Sequence, residues 1–295
     1  LRLVTISNPG NPTGTVIPKG ELLKLSHLCA EYGAWLCVDN TYEHFRAFYG
    51  EAAEGNPCGL RALSTALPDQ LPAGSTTRCL TRDLGERRAE VRCFSDQGRP
   101  IECCGHGLLC SAALWRARWG SDGGLVNGAP HIPFRQEGAL IWLQFPYPDL
   151  TPSALPQGID RLLPGAALSC DRVGTASGYL LVELQSSDEL AAMTPPGEAL
   201  KPLTDRALLV YVRCPQNDAT PTPYRFRYFA PQYGSAEDTA TGSAMRLVTA
   251  AARTRYTDHE IMAAQLSPGG GLLYGAVEGD TVWVGGQVQK EQQIE

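Results

Sequence analysis

Two stretches of the chain share one pattern, and this repeat constrains the fold more than any other feature of the sequence. Residues 92–95 are β-rich and lead through a turn to Cys104-Gly-His-Gly107 and an Ala/Leu-rich segment. Residues 227–230 lead through a turn of similar length to Ala240-Thr-Gly-Ser243 and a second Ala-rich segment. Their composition and spacing predict helices over residues 107–119 and 242–255. We interpret the repeat as an internal duplication that gives two β-rich lobes, each wrapped around a central helix.

The rest of the chain after residue 50 is dominated by short β-rich runs separated by connectors rich in proline and glycine. The predicted strands cover residues 90–94, 139–145, 179–184, 208–214, 224–229 and 281–284. A chain of 295 residues is long enough for two ordinary domains. The sequence therefore predicts an α+β fold, with an N-terminal lobe over residues 51–170 and a C-terminal lobe over residues 171–295.

The first 50 residues follow a different pattern. Residues 1–7 predict a strand, and residues 8–14 are a dense run of turn-forming residues. Apolar residues then recur at helical spacing between residues 19 and 32, and residues 34–38 predict a short buried strand. This order is the strand–helix–strand unit of a parallel sheet, so we expect a small separate α/β segment.

Composition excludes several classes of function. The net charge is −6 and there is no long basic run, so we expect no nucleic-acid partner. No apolar stretch approaches the roughly 18 residues of a membrane helix, so we expect no membrane association. Ten cysteines are present without CxxC pairs or zinc-type Cys/His spacing. Without a signal peptide, we expect them to be reduced in a cytoplasmic protein, with no metal site.

The turn that begins each repeated helix carries small residues, which let a ligand approach the backbone. Free N–H groups at a helix N-terminus favour a bound carboxylate. If the lobes pair about a pseudo-twofold axis, both helix N-termini face one cleft. We therefore expect a small carboxylic acid held between two acid/base groups, without an organic cofactor, and epimerised or isomerised by proton transfer.

The candidates for chemistry in these turns are Cys104, His106, Asp238 and Ser243. A cysteine before a helix N-terminus can be a thiolate base, and a histidine exchanges protons near neutral pH. Each also has a structural interpretation: a buried small side chain for Cys104, a hydrogen bond to a backbone carbonyl for His106, and a helix-capping role for Asp238. Their joint placement in matching turns favours the functional interpretation.

From about residue 55 onward, the chain resembles the PhzF-like proteins of phenazine biosynthesis, which share the diaminopimelate epimerase fold. The motifs that carry the resemblance are Gly55-Asn-Pro57, Ile101-Glu-Cys-Cys-Gly-His-Gly107, Arg227-Tyr-Phe-Ala-Pro-Gln-Tyr-Gly234, Glu237-Asp-Thr-Ala-Thr-Gly-Ser-Ala244 and Gln265-Leu-Ser267. The resemblance implies an isomerase that forms a homodimer. It also implies catalytic roles for His106 and Asp238, and substrate binding by Gly105, Gly107, Gly242 and Ser243.

The chain departs from this family at two places. The family's catalytic glutamate lies in a Ser-Glu-Thr-Thr-Phe-like run, where this chain has Gly74-Ser75-Thr-Thr-Arg78, so Ser75 stands in its place. A serine is not a carboxylate base, and Glu86 or Glu90 would have to reach the cleft by another path. Near the C-terminus, Pro268 stands where the family commonly has an arginine before paired glycines.

Three functions therefore stay open for the cleft. Cys104 could replace the missing glutamate as the base of an isomerase. The Cys-Gly-His-Gly turn is also similar to that of proline racemases and hydroxyproline epimerases. A pair formed by Cys104 and Thr239 would resemble the catalytic pair of the related hydroxyproline dehydratases. A catalytically inactive module that only binds a metabolite is the third.

The N-terminal segment resembles fold-type I pyridoxal-phosphate aminotransferases through Asn8-Pro-Gly-Asn-Pro-Thr-Gly14 and Asp39-Asn-Thr-Tyr-Glu-His-Phe45. The resemblance implies that Asn11 and Tyr42 would contact the cofactor's phenolic oxygen, and Asp39 its ring nitrogen. No lysine follows in a Schiff-base context, so we expect residues 1–50 to be a remnant without transaminase activity. We also expect the strand over residues 1–7 to replace the first strand of the PhzF-like fold.

Overall fold

The computed structural model describes residues 2–7, 19–39, 43–50, 53–74, 76–102, 104–128, 131–214 and 222–290. Its α-helices are α1 (Lys19–Glu31), α2 (Gly105–Trp119), α3 (Ser187–Ala192) and α4 (Gly242–Tyr256). The strands of the first half are β1 (Arg2–Ser7), β2 (Ala34–Asp39), β3 (Glu43–Tyr49), β4 (Asn56–Leu63), β5 (Arg78–Gly85), β6 (Arg88–Phe94), β7 (Pro100–Ile101), β8 (Gly123–Val126), β9 (His131–Glu137) and β10 (Leu140–Pro146). Those of the second half are β11 (Leu150–Pro152), β12 (Ala167–Val173), β13 (Tyr179–Leu184), β14 (Ala207–Arg213), β15 (Tyr224–Phe229), β16 (Glu260–Gln265), β17 (Gly271–Glu278) and β18 (Thr281–Lys290).

The large sheet confirms the predicted α+β fold with two lobes. In the first lobe, β10-β9-β8-β6-β5-β4-β3-β18 follow one another, and β18 also pairs with β10, so the strands close into a ring. In the second lobe, the sheet continues from β18 through β17-β16-β15-β14-β13-β12-β11 and stays open. Helix α2 packs inside the first lobe, and α4 packs on β16, β17 and β18 in the second.

The strand directions confirm the internal duplication. In the first lobe, β4 and β5 are parallel, β5 and β6 antiparallel, and β6 and β8 parallel, with α2 connecting the last pair. The second lobe repeats this with β13 and β14, then β14 and β15, then β15 and β16, with α4 connecting the last pair. A helix between two parallel neighbouring strands is the usual way to make such a crossover.

Both central helices belong to one continuous hydrophobic core. That core includes Leu108, Leu109 and Trp115 of α2 together with Leu247 and Val248 of α4, all at most 4% exposed. A smaller cluster lies on the outer face of the second lobe under α3. Because each helix is enclosed on several sides, its N-terminal residues are fixed in position relative to the sheet.

The N-terminal segment contains the predicted strand–helix–strand unit: β1 and β2 are parallel and in register from Arg2 opposite Ala34 to Ser7 opposite Asp39. These two strands form a separate two-stranded sheet. The expectation that the first strand of the chain joins the PhzF-like sheet is therefore wrong. That place is taken by β3, which pairs with β4 and β18. Its alternating residues Phe45 and Ala47 are buried, which is why this strand, rather than β1, enters the core.

Among the described residues, no helix combines the length and hydrophobicity needed to cross a membrane.

Candidate active site between the two helix N-termini

The first residues of α2 and α4 touch each other. A Cβ atom added to Gly105 would lie 2.7 Å from the Cα of Gly242 and 3.1 Å from the backbone nitrogen of Ser243. A Cβ added to Gly242 would lie 3.0 Å from the Phe48 ring and 3.1 Å from the Cα of Gly105. A side chain at Gly105 would clash with the backbone of Gly242, and one at Gly242 would press against Phe48 and Gly105. The two small residues therefore let the positive ends of both helices approach each other.

The helix N-termini have backbone donors that their own capping residues leave unused. Within the described part of the chain, the side chains of Cys104 and Thr241, the residues that precede α2 and α4, make no capping hydrogen bond to their helices. The first N–H groups of an α-helix have no intrahelical acceptor. An anion between these ends would therefore meet donors from both lobes.

His106 lies in the first turn of α2 and is 7% exposed. Its ring nitrogens Nδ1 and Nε2 lie 3.7 and 3.8 Å from the Sγ of Cys104. Burial alone would lower the pKa of His106, but the thiolate of Cys104, assisted by the charges of Cys58 and Asp238, raises it to about 9. The imidazole is therefore protonated at neutral pH and can donate a proton.

Asp238 lies in the turn before α4 and is held by both lobes. Its Oδ2 accepts a hydrogen bond of 2.7 Å from the hydroxyl of Thr241. Its Oδ1 lies 3.4 Å from the amide nitrogen of Asn56, which also donates to the backbone carbonyl of Thr239. Desolvation raises the pKa of the Asp238 carboxyl, while the positive charge of His106 opposes that rise. A carboxylate with a raised pKa is a stronger base than an exposed one.

Gln265, at the end of β16, fixes the shape of this turn. Its Oε1 accepts a hydrogen bond of 2.6 Å from the backbone N–H of Thr241, and its Nε2 donates to the carbonyl of Asp238. Ala240, which lies between Asp238 and Thr241, has a φ of 52°, a conformation that non-glycine residues adopt only when the surroundings enforce it. The turn is thus held in one conformation, which is the requirement for a preorganised catalytic group.

The neighbouring carboxylate, Glu237, has a structural role. Arg227 donates to it through Nε and Nη2, each bond 2.7 Å long, and both side chains are 7% exposed. Arg227 also donates to the backbone carbonyl of Met193. A bidentate pair of this kind occupies both carboxylate oxygens. The two acidic residues of the Glu-Asp motif therefore have different partners: Arg227 binds Glu237, whereas Asn56 and Thr241 donate to Asp238.

Neither of the other two glutamates weighed from the sequence reaches the site. Glu90 lies on β6, where its carboxylate binds Arg82 at 2.6 Å, on the face opposite the buried Val91 and Cys93. Glu86 lies at the β5–β6 hairpin, where its side chain is 84% exposed and pairs with an arginine two residues later.

Three residues chosen from the sequence lie outside the described residues: Asn11, Tyr42 and Ser75. Asp39 ends β2, and the structure describes its backbone alone. The described site therefore joins Cys104, Gly105, Gly107 and His106 from the first lobe to Asp238, Gly242 and Ser243 from the second.

Gly107 faces sulfur atoms. A Cβ added there would lie 2.4 Å from the Sγ of Cys79, 2.8 Å from that of Cys93 and 3.0 Å from that of Cys104. Its lack of a side chain leaves room for three thiols behind the first turn of α2. The sequence suggested a substrate-binding role for Gly107, and the structure adds this packing requirement.

A cavity of about 590 Å³ borders the Asp238 turn. Its lining includes Glu54, Gln265, Ser267 and Gly269. The hydroxyl of Ser267 is buried and has no hydrogen-bond partner among the described residues. A buried hydroxyl without a partner is costly unless a ligand or water satisfies it. Polar groups of this kind commonly orient a bound molecule.

Asn56 and Gln265 lie within the sequence motifs, but the sequence does not reveal that their side chains hold the Asp238 turn. The signal was present in the Gly55-Asn-Pro57 and Gln265-Leu-Ser267 motifs. Asn56 is 182 positions from Asp238 in the sequence, and Gln265 is 27 positions from it, so no local pattern reveals these contacts.

Two family models match different parts of the chain. The family model described as phenazine biosynthesis-like protein matches residues 47–265, and the model for class I and II aminotransferases matches residues 1–64. An uncharacterized isomerase of Vibrio cholerae is 27% identical over 271 residues, which cover 88% of this chain and 90% of that protein. An aromatic aminotransferase of Arabidopsis thaliana is 50% identical over 44 residues, which are 15% of this chain and 11% of that enzyme.

Solved structures agree with this fold. A PhzF-family protein of Enterococcus faecalis has a TM-score of 0.72 at 22% identity, covering 85% of this chain and 96% of its own. A predicted epimerase of Pseudomonas aeruginosa has a TM-score of 0.64 at 20% identity, and the match covers 85% of this chain and 96% of that protein. A probable proline racemase of Agrobacterium radiobacter has a TM-score of 0.54 at 11% identity, and the match covers 86% of this chain and 92% of that protein. At these identities the similarity establishes the fold.

Proposed function

The chain belongs to the phenazine biosynthesis-like family, and from this membership we propose that it is an isomerase or epimerase that moves a proton on a small carboxylic acid. The observation that carries the proposal is the contact between the N-termini of α2 and α4, beside which lie His106 of the first lobe and Asp238 of the second. Each of these two groups changes the pKa of the other through its charge.

The substrate's carboxylate binds between the two helix N-termini in this proposal. Backbone N–H groups near Gly105 and Ser243 supply donors, and the two helix dipoles add favourable potential at the same place. The contact between Gly105 and Gly242 keeps these donors close enough to share one small anion. The remainder of the molecule extends toward the cavity bordered by Ser267.

Proton transfer then uses groups whose protonation states are opposite at neutral pH. The Asp238 carboxylate removes the proton from the carbon next to the substrate's carboxylate, and the carbanion delocalises its charge toward the helix N-termini. The His106 imidazolium returns a proton to that carbon from the other side, or to a different carbon. The first outcome is epimerisation and the second is isomerisation.

Cys104 provides an alternative base, and one contact favours it. Its sulfur lies within 3.8 Å of both ring nitrogens of His106. Hydrogen bonds from Cys79 and Cys93, together with the charge of His106, lower the pKa of Cys104 well below its usual value. A thiolate in this position supports the second candidate function, a cysteine-based racemase or dehydratase.

Deuterium wash-in tests the proposal. The purified protein is incubated in heavy water with a panel of small amino, hydroxy and cyclohexadiene acids, and the mass of each acid is followed. We expect one acid to gain deuterium, and both His106→Gln and Asp238→Asn to abolish the gain. Asp69→Asn is the matched control, because Asp69 is an exposed carboxylate on the surface.

The Cys104→Ser variant separates the two candidates. Exchange that survives in Cys104→Ser and disappears in Asp238→Asn supports the carboxylate base. Exchange that disappears in Cys104→Ser alone supports the thiolate base. If an acid raises the melting temperature and none gains deuterium, the chain binds a metabolite without converting it, and the proposal is wrong.

A further inference from the structure

Two cysteines that the proposed reaction does not use lie directly opposite each other. Cys79 on β5 and Cys93 on β6 are cross-strand partners in the antiparallel register. Their sulfur atoms are 2.9 Å apart, and the residues are 0% and 1% exposed. Directly opposite residues in such a pair have Cα atoms about 4.5–5.5 Å apart, which lies within the range of about 4.4–6.8 Å for a disulfide.

Only a small movement separates this pair from a covalent bond. A disulfide has an S–S length of about 2.05 Å, so the two sulfur atoms must approach by about 0.9 Å. Rotation of the two side chains supplies this movement, because the strands are already in register.

A third thiol lies beside the pair. The sulfur atoms of Cys79, Cys93 and Cys104 all lie within 4.8 Å of one another. The absent side chain of Gly107 makes the space for this cluster, since a Cβ there would lie within 3.0 Å of all three sulfurs. Cys104 is the member that also contacts His106, so it connects the buried pair to the cleft.

We propose that Cys79 and Cys93 form an oxidisable dithiol beside the active site, which hydrogen peroxide converts into a disulfide through Cys104. This modification is independent of the reaction proposed above, because it needs only the three sulfur atoms and the peroxide. The thiol cluster differs from a metal site, because the sulfur atoms of Cys79 and Cys93 are closer to each other than two thiolates bound to one zinc ion would be. With Zn–S bonds of about 2.3 Å in tetrahedral geometry, those sulfurs would stand about 3.8 Å apart.

The chemistry balances in three steps. The Cys104 thiolate attacks one peroxide oxygen, breaking the O–O bond and giving a sulfenic acid and hydroxide. The thiol of Cys79 then attacks the sulfenic sulfur, forming a disulfide to Cys104 and releasing water. Thiol–disulfide exchange by Cys93 transfers the bond to the Cys79–Cys93 pair and regenerates the Cys104 thiol. In sum, two thiols and one peroxide give one disulfide and two waters.

The disulfide changes the cleft, because Cys79 and Cys93 lose the S–H groups that lower the pKa of Cys104. A thiolate that loses two donors is less stabilised. Its charge also helps to keep His106 protonated. Oxidation therefore lowers the fraction of protein with an ionised Cys104 and a protonated His106, and a reducing dithiol reverses the effect.

Mass spectrometry of the intact, fully reduced protein tests the proposal. One equivalent of hydrogen peroxide should remove two hydrogens from the mass, and the number of thiols titrated after denaturation should fall from ten to eight. Digestion with trypsin and a glutamate-specific protease places Cys79 in residues 79–82, Cys93 in residues 93–102, and Cys104 in residues 103–116. We expect a non-reduced peptide that joins 79–82 to 93–102, and dithiothreitol should separate it.

Variants give the controls. Cys93→Ala should abolish this linked peptide, whereas Cys170→Ser should retain it, because Cys170 lies on β12 near Ser153, outside the cluster. Melting curves establish that both variants are folded. If Cys93→Ala does not fold, Cys104→Ser serves instead, and it should slow formation of the linked peptide at least tenfold.

The proposal is overturned if all ten thiols survive peroxide, or if peptide 103–116 holds the stable disulfide. It is also overturned if the purified protein carries zinc or copper that protects Cys79 and Cys93 from oxidation, since the cluster would then be a metal site.

Discussion

Gly105→Ala tests the contact between the two helices. The added Cβ would lie 2.7 Å from the Cα of Gly242 and 3.0 Å from its nitrogen. Carbon atoms pack at about 3.5–4.0 Å, so the helix N-termini must separate by about 0.8–1.3 Å. The obstructing atoms belong to the backbone and cannot rotate away.

The expected cost follows from these distances. Overpacking of this kind costs about 1–3 kcal/mol, and alanine regains at most about 1 kcal/mol of helix propensity over glycine. We expect lower stability, with the melting temperature falling by about 2–4 °C for each net kcal/mol lost. Because a displacement of about 1 Å can cost about 100-fold in rate, we expect deuterium exchange to fall about 100-fold.

The assay compares thermal unfolding and wash-in of Gly105→Ala with those of Gly20→Ala. Gly20 lies in the first turn of α1, and a Cβ there meets nothing within 4 Å. The control should lose neither stability nor exchange. If Gly105→Ala keeps both the melting temperature and the exchange rate of this control, the helix N-termini do not touch and the proposed anion site is wrong.

Four further predictions concern the charged groups. Exchange should fall above pH 9, because His106, whose pKa is about 9, then loses its proton. The protonated ring also stabilises the fold; this contribution is complete below about pH 6.5 and is lost as the pH rises through 9. Exchange should also fall in acid, with a midpoint above 3.8, the ordinary value for Asp238; a pH profile that is flat at both ends would contradict both assignments. Arg227→Met should destabilise the fold by about 3–5 kcal/mol because Glu237 is left buried and unpaired; urea unfolding measures this, and adding Glu237→Leu should restore part of the loss. Glu90→Gln should leave the wash-in rate unchanged, since its carboxylate binds Arg82 away from the cleft, and a tenfold drop would show that Glu90 reaches the substrate.

The local elements were predictable because their signals are local. The strand over residues 179–184 and that over 224–229 match β13 and β15, and the two central helices begin within two residues of their predicted starts. The repeated strand–turn–helix pattern predicted the two lobes, and the parallel unit of β1, α1 and β2 followed from periodicity alone. The family motifs around His106 and Asp238 were equally readable, because they are contiguous runs of residues.

The tertiary structure decided what depends on strand register and on contacts between distant residues. It placed β3 rather than β1 in the large sheet, since pairing with β4 and β18 buries the apolar face of β3. It gave the two acids of the Glu-Asp motif different partners, because Arg227 pairs with Glu237 while Thr241 donates to Asp238. It also brought Cys79, Cys93 and Cys104 together. Sequence periodicity fixes which face of a strand or helix is apolar, but only the packing of two lobes determines which atoms meet across that face.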